Sequence, residues 1–142
     1  MSLNNKFTII IIFLFTLNVF SQAGVYTRGS ENPRPDHTII KWTITLNQDN
    51  TFLYHFLRDL SGAGNPEENY YGKGTWKKEG KVIMFFSNKG DLNEEYTVNL
   101  NNSKARYIIK SPRDKSDKII KTALRFYDSE MSHISGLIVF KE

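Results

Sequence analysis

The chain of 142 residues contains no cysteine. This absence excludes disulfide bonds, zinc-thiolate sites, thiol catalysis and a lipid thioether anchor together. Long stretches with the 3.6-residue periodicity of an amphipathic helix are also scarce. A small domain without disulfides depends on its apolar core for stability, and 13% of the residues are aromatic, which is enough to build one.

The motifs of common enzyme classes are missing as well. Neither a Gly-x-Ser-x-Gly nucleophile elbow nor a phosphate-cradling glycine loop occurs. The carboxylates of Glu67 and Glu68, like those of Glu94 and Glu95, belong to adjacent residues and would point apart on a strand. The sequence therefore predicts a protein that is not an enzyme and needs no cofactor.

Metal binding is not indicated either. The three histidines are His37, His55 and His133, and no two of them share a ligand spacing such as i, i+2. His37 directly follows Asp36, so the two side chains would diverge in an extended chain. We interpret these histidines as solvated or hydrogen-bonded side chains.

Residues 1–21 have the pattern of a secretory signal peptide. A short polar start containing Lys6 precedes an apolar run over residues 7–17, and small side chains follow at the cleavage positions. The run is too short to be a comfortable membrane span. We expect cleavage after Ser21 or Ala23, a periplasmic or extracellular location, and no membrane span in the mature chain.

Residues 22–142 suit a single domain with one core. Turn signals recur at short intervals between runs that alternate apolar and polar residues. About eight or nine short strands in succession predict an all-β antiparallel meander that closes as a barrel or half-barrel. The predicted strands are residues 24–27, 42–46, 51–56, 71–77, 81–86, 95–100, 105–110, 119–127 and 136–141.

Residues 119–127 allow two interpretations. Their apolar side chains alternate as in a strand, and they also fit one face of a helix capped by Asp117. The β-branched and aromatic content favours the strand, as does the strand-like run that follows.

The clearest hairpin lies in residues 42–56. The run Asn-Gln-Asp-Asn at residues 47–50 fits a type I turn followed by Asn50 in the left-handed conformation, which makes a three-residue loop with a bulge. Such an odd loop places the apolar side chains on one face, whereas a four-residue loop would divide them between two faces. The predicted pairs are Leu46 with Phe52, Ile44 with Tyr54, and Trp42 with Phe56.

Several short motifs resemble those of small secreted bacterial lipocalin-like domains. Residues 24–26, Gly-Val-Tyr, are similar to the Gly-x-Trp start of lipocalin-like barrels, with Tyr26 in place of the tryptophan. Residues 46–52 are similar to a strand that ends in an Asp-Gly-Thr-Phe-type turn, and Gly-Thr-Trp at 74–76 and Gly-Lys-Val at 80–82 follow. The resemblance covers nearly all of the mature chain. It implies an up-and-down barrel around an apolar ligand cavity, without implying a particular ligand.

The apolar face of the hairpin also has two interpretations. Its side chains either line a cavity for a small apolar ligand or an envelope component, or they fill the barrel, as side chains do in narrow barrels. The pattern favours filling over binding, although the phenol of Tyr54 needs a polar partner in either case. We therefore expect a secreted, non-catalytic binding module. Its candidate ligand-binding residues are Trp42, Ile44, Tyr54, Phe56 and Trp76.

Positive charge is concentrated in residues 104–125, which contain eight basic residues and only two acidic ones, Asp114 and Asp117. An ordinary solvated surface is the simplest interpretation. The alternative is an interaction or structural protein that docks through this basic face, with anionic envelope lipids or glycans as partners. A secreted destination argues against nucleic acid as the partner. The candidate basic patch is Lys110, Arg113, Lys115, Lys118 and Lys121.

Overall fold

The protein is an eight-stranded antiparallel barrel in the part of the chain that the structure describes. This structure, a computed structural model, describes residues 22–29, 38–60 and 67–142. The predicted signal peptide at residues 1–21 and His37 lie outside these described residues. Each strand pairs with the next along the chain, and the last pairs with the first, so the barrel is fully closed. The strands are β1 (Gly24–Gly29), β2 (Ile39–Leu46), β3 (Thr51–Asp59), β4 (Glu68–Glu79), β5 (Val82–Phe86), β6 (Ser103–Ile108), β7 (Ala123–Asp128) and β8 (Ile138–Lys141).

The all-β meander predicted from the sequence is confirmed, and so is its hairpin. Asn50 has a φ of 67°, in the left-handed region, and its N–H donates to the Asn47 carbonyl at 3.2 Å. The ladder between β2 and β3 has the register that the three-residue loop requires. It pairs Leu46 with Phe52, Ile44 with Tyr54, and Trp42 with Phe56.

An up-and-down barrel places successive connections at alternate ends. The turns at 47–50 and 80–81 and the connection at 109–122 lie at one end, which we call the hairpin end. The connections at 87–102 and 129–137 lie at the other end, which we call the mouth. The two ends therefore differ in how the chain covers them.

The middle of the barrel is filled with side chains. The ring of Phe85 lies 5.1 Å from that of Phe52 and 5.2 Å from that of Phe126, centroid to centroid. The two faces of β5 differ in burial, because Ile83 and Phe85 are buried while Phe86 is 40% exposed. The large side chains with almost no exposed surface are Tyr26, Tyr54, Phe52, Phe85, Phe126, Ile44, Leu46, Ile83, Leu100, Leu124, Ile134 and Val139.

The predicted strand at 95–100 is wrong. This segment belongs to the connection between β5 and β6, which pair directly with each other, and its one bridge is a parallel contact of Tyr96 with Tyr71. Its alternating residues Val98 and Leu100 are nevertheless buried. The alternation therefore reported burial correctly, but no position in the sheet was left for another strand.

The predicted boundaries of the strands around residues 109–122 also need correction. The β6–β7 ladder ends at the pair Ile108–Ala123, and residues 109–122 belong to none of the described strands. Ile109, Ile119 and Ile120 are consequently exposed, by 45%, 97% and 40%. The strand prediction for 119–127 holds only from Ala123 onward, as β7.

Within the described ranges, no helix is both long enough and apolar enough to span a membrane.

Candidate functional site

A pocket of about 460 Å³ opens at the mouth of the barrel. Strands β2, β3 and β4 form one wall, and the two mouth connections form the rest. This combination of sheet and loops places apolar side chains beside a few polar ones. The lining residues are Trp42, Tyr54, Phe56, Arg58, Tyr70, Thr97, Val98, Met131 and His133.

The sheet wall of the pocket is a row of aromatic rings. Trp42, Phe56 and Tyr70 occupy directly paired positions on three neighbouring strands, so their side chains stand side by side on one face. The Trp42 and Phe56 rings lie 5.1 Å apart, and those of Phe56 and Tyr70 lie 6.1 Å apart. Tyr70 is 42% exposed, so the row runs from the core to the rim.

The inner boundary of the pocket depends on a glycine. A Cβ atom at Gly72 would lie 2.8 Å from the carbonyl oxygen of Val98, so only glycine lets the connection approach this closely. The N–H of Val98 donates to the Tyr71 carbonyl at 2.9 Å. Val98 is thereby fixed beside Tyr54, and the pocket lies between them and the rim.

Two residues of the pocket wall each have a buried polar atom that finds no hydrogen-bond partner within the described ranges. The atoms are Nε1 of Trp42 and the hydroxyl oxygen of Tyr54, a residue that is 1% exposed. Burial raises the pKa of the Tyr54 phenol, so at neutral pH this group carries its proton and serves as a donor. Unpartnered buried donors are rare, and each one calls for an explanation.

Charge at the rim is largely balanced. Nε of Arg58 donates to Oε2 of Glu68 at 2.7 Å, and the guanidinium forms an ion pair with the same carboxylate. His133 lines this pocket and also a neighbouring pocket of about 420 Å³, which shares Trp42 with it. The pocket therefore offers an aromatic surface and neutral donors more than net charge.

Three of the five predicted ligand-binding residues line the pocket, and two do not. Trp42, Tyr54 and Phe56 line the pocket. Ile44 has no exposed surface and belongs to the filled core, and Nε1 of Trp76 donates to the Asn47 carbonyl at 3.1 Å, at the hairpin end. The structure thus brings three of the five together at the mouth.

Sequence reasoning did not include several residues that complete the pocket. Tyr70 could have been found, because extending the hairpin register to β4 places it opposite Phe56. Met131, His133 and Val98 come from irregular connections, and their positions have no signal in the local pattern.

The histidines do not form a metal site in the described residues, where no three His, Asp or Glu side chains lie close enough to hold an ion. Nε2 of His55 lies 2.7 Å from Oδ1 of Asn69. The His55 ring stacks on Tyr71 with centroids 4.6 Å apart, and it does not line the pocket.

The predicted basic patch lies at the hairpin end and shares no residue with the mouth pocket. Its five residues all belong to the connection between β6 and β7. Arg113, Lys115, Lys118 and Lys121 are exposed, and Nζ of Lys110 donates to the carbonyl of Ser116.

Comparison with other proteins gives no relative from which a role could be transferred. No family model, no curated protein and no solved structure matches this chain. The chemistry of the mouth pocket is therefore the starting point for a function.

Proposed function

We propose that the protein is a secreted, non-catalytic binding module of lipocalin-like type. It holds a small, largely apolar molecule in the mouth pocket. The observation that carries this proposal is the pair of unpartnered buried donors, on Trp42 and Tyr54, in the wall of that pocket.

The pocket suits a ligand with two different parts. An apolar body would lie against the aromatic row and Met131, because burial of apolar surface is the main driving force for such binding. A carbonyl or carboxylate group would accept hydrogen bonds from the two donors, each of which is costly to leave unpaired. A volume of about 460 Å³ lies within the range typical of small-molecule sites.

The filled core determines how deep such a ligand enters. Phe52, Phe85 and Phe126 occupy the centre of the barrel, so the ligand would be held at the mouth and not along the barrel axis. Both interpretations of the apolar hairpin face then apply, each to different side chains. Filling applies to Ile44, and binding applies to Trp42, Tyr54 and Phe56.

The proposal is tested with a fluorescent probe, a long-chain fatty acid that carries a dansyl group. We expect saturable binding to the native chain with a blue shift in emission. Thr97 is exposed and lines the pocket, so Thr97→Trp should fill the pocket and weaken binding about tenfold or more, which corresponds to about 1.4 kcal/mol. Thr75→Trp is the matched control, because Thr75 is exposed on β4 outside the pocket.

Two further variants test the donors themselves. Tyr54→Phe keeps the ring and removes the hydroxyl, and should weaken probe binding about fivefold, the effect of one hydrogen bond. Tyr26→Phe removes a buried hydroxyl that already donates to the Gln22 carbonyl at 2.6 Å and should leave the affinity unchanged. Equal probe binding by the native chain and Thr97→Trp, or no probe binding at all, would overturn the proposal.

A further inference from the structure

The connection between β6 and β7, residues 109–122, combines exposed apolar side chains with a concentration of positive charge. We call it the basic loop. Ile119 is 97% exposed, and Ile109 and Ile120 are 45% and 40% exposed. β-branched aliphatic side chains are usually among the most buried in a protein. Three of them on one solvent-exposed connection therefore point to a surface that is covered when the protein functions.

The charge of the basic loop is unbalanced. It contains five basic residues and two acidic ones, and none of the ion pairs found among the described residues involves it. One of the acids, Asp114, accepts a hydrogen bond from the N–H of Ser116 at 2.9 Å, which is part of the loop's own turn. Four of the five basic side chains are thus exposed beside the isoleucines, namely Arg113, Lys115, Lys118 and Lys121.

The surface next to the loop has the same character. Phe140, on β8, is 37% exposed, and Nζ of Lys121 lies 5.7 Å from the centre of its ring. The apolar surface therefore extends from the loop onto the outside of the barrel, and a cation accompanies it there.

We propose that the basic loop docks the protein on a membrane surface rich in anionic lipids. The lysines and arginine would meet the lipid head groups, and Ile119 and Ile120 would enter the boundary between head groups and acyl chains. Surface anchors of membrane proteins combine these two attractions, apolar insertion and electrostatic contact with anionic lipid. An acidic protein partner would satisfy the charges, but an isoleucine that is 97% exposed beside basic side chains fits insertion into lipid better than a groove contact.

This docking gives the barrel a definite orientation. The basic loop lies at the hairpin end, so the mouth and its pocket face away from the membrane. The inference does not depend on the proposed ligand, because the loop and the pocket share no residue.

The absence of cysteine allows a direct test. Ile119→Cys provides a single labelling site for an environment-sensitive fluorophore, and Ser132→Cys, an exposed site in a mouth connection, is the matched control. With mixed phosphatidylglycerol and phosphatidylcholine vesicles, the label at position 119 should shift to the blue and be quenched by brominated lipid. The label at position 132 should show neither change, nor should either label with phosphatidylcholine alone.

Charge reversal tests the electrostatic part. Lys115→Glu, Lys118→Glu and Lys121→Glu together should weaken association with the mixed vesicles on the order of 100-fold. Each basic side chain near an anionic membrane surface contributes about a fivefold increase in affinity. The control triple variant Lys77→Glu, Lys78→Glu and Lys89→Glu has the same net charge. These three residues are exposed outside the basic loop and outside the surface that Lys121 shares with Phe140, and the control should keep most of the affinity.

All variants carry residues 1–21, so vesicle association through that segment would be common to them. A label at position 119 that stays unchanged on vesicles which do bind the chain would overturn the inference. Equal losses in the two charge variants would overturn it too, since they would indicate a response to net charge alone. Failure of the fatty-acid probe to bind would leave this result unaffected.

Discussion

A tyrosine and a tryptophan towards one end of the barrel can be compared with a tyrosine and a tryptophan at the other, because the hydrogen bonding of their polar atoms differs. Towards the hairpin end, Tyr26 donates to the Gln22 carbonyl at 2.6 Å, and Trp76 donates to the Asn47 carbonyl at 3.1 Å. At the mouth, Tyr54 and Trp42 have buried polar atoms without a partner among the described residues. The residue types are the same, and only their surroundings differ.

This difference suggests that the hairpin end contributes to stability and that the mouth is suited to binding. A satisfied buried donor contributes about 1 kcal/mol, whereas an unsatisfied one costs about as much or more. The hairpin end is therefore built to hold the barrel together. The two donors at the mouth that lack a partner should destabilise the free protein, and in the proposed function a ligand would supply their acceptors.

The largest effects should come from two glycines of β4 that lie on either side of this division. A Cβ atom at Gly74 would lie 2.0 Å from the carbonyl oxygen of Phe86, at the end of β5. Gly74→Ala should lower the free energy of unfolding by about 3 kcal/mol, because two backbones must separate. Gly72→Ala meets the carbonyl of Val98 at 2.8 Å, in an irregular connection, and should lower it by only about 1 kcal/mol.

Urea unfolding monitored by circular dichroism measures both variants, and Gly72→Ala should in addition change the affinity for the fatty-acid probe through Val98. Neither position has a positive φ, so the alanine backbone itself is not strained. Equal losses in the two variants would show that the mouth is packed as rigidly as the hairpin half, and the comparison would fail.

Two tyrosine variants should give changes of smaller size and opposite sign. Tyr26→Phe removes a satisfied donor and should lower the free energy of unfolding by about 1 kcal/mol. Tyr54→Phe removes an unsatisfied hydroxyl from an apolar site and should raise it by about 1 kcal/mol. Both variants keep the ring volume, so each is the control for the other in urea unfolding at equal m-values.

The sign is the decisive quantity in this pair. A loss of stability in Tyr54→Phe as large as that in Tyr26→Phe would show that the Tyr54 hydroxyl already has a partner in the free protein. The mouth would then be an ordinary part of the core, and the unpartnered hydroxyl that supports ligand binding would no longer be evidence for it.

Local pattern predicted the elements whose neighbours are close in sequence. The hairpin register followed from the face alternation and from Asn50, because turn geometry and side-chain period together leave one solution. The segment containing Val98 and Leu100 was misassigned, since alternation reports which side chains are buried and not which backbone has a partner. Ile119 was placed in a strand because of the β-branched and aromatic content of its segment, which gives strand propensity and not a neighbouring strand.

The site was predictable only where it lies on the hairpin. Trp42, Tyr54 and Phe56 followed from one face of two strands, whereas Met131 and His133 reach the pocket through a connection whose path depends on the whole barrel. Whether a buried hydroxyl finds an acceptor is likewise a property of the assembled fold. The sequence predicts that the Tyr54 hydroxyl needs a hydrogen-bond partner. Only the structure shows that it has none within the described ranges.

The smallest expected effect concerns the hairpin turn and its response to acid. The carboxylate of Asp49 accepts hydrogen bonds from the hydroxyl of Thr51 at 2.5 Å and from its N–H at 3.0 Å, and these bonds hold the pKa of that carboxyl below its usual value of 3.8. A lowered pKa in the folded state means that the ionised form stabilises the fold above the ordinary pKa, and that this contribution is lost as the pH falls through the lowered pKa. Asp49→Asn should therefore reduce the melting temperature slightly at pH 7, and the gap between the variant and the native chain should close in strong acid. Thermal unfolding followed by circular dichroism across this range measures the gap, and a gap that stays constant with pH would show that the turn depends on side-chain shape and not on the charge.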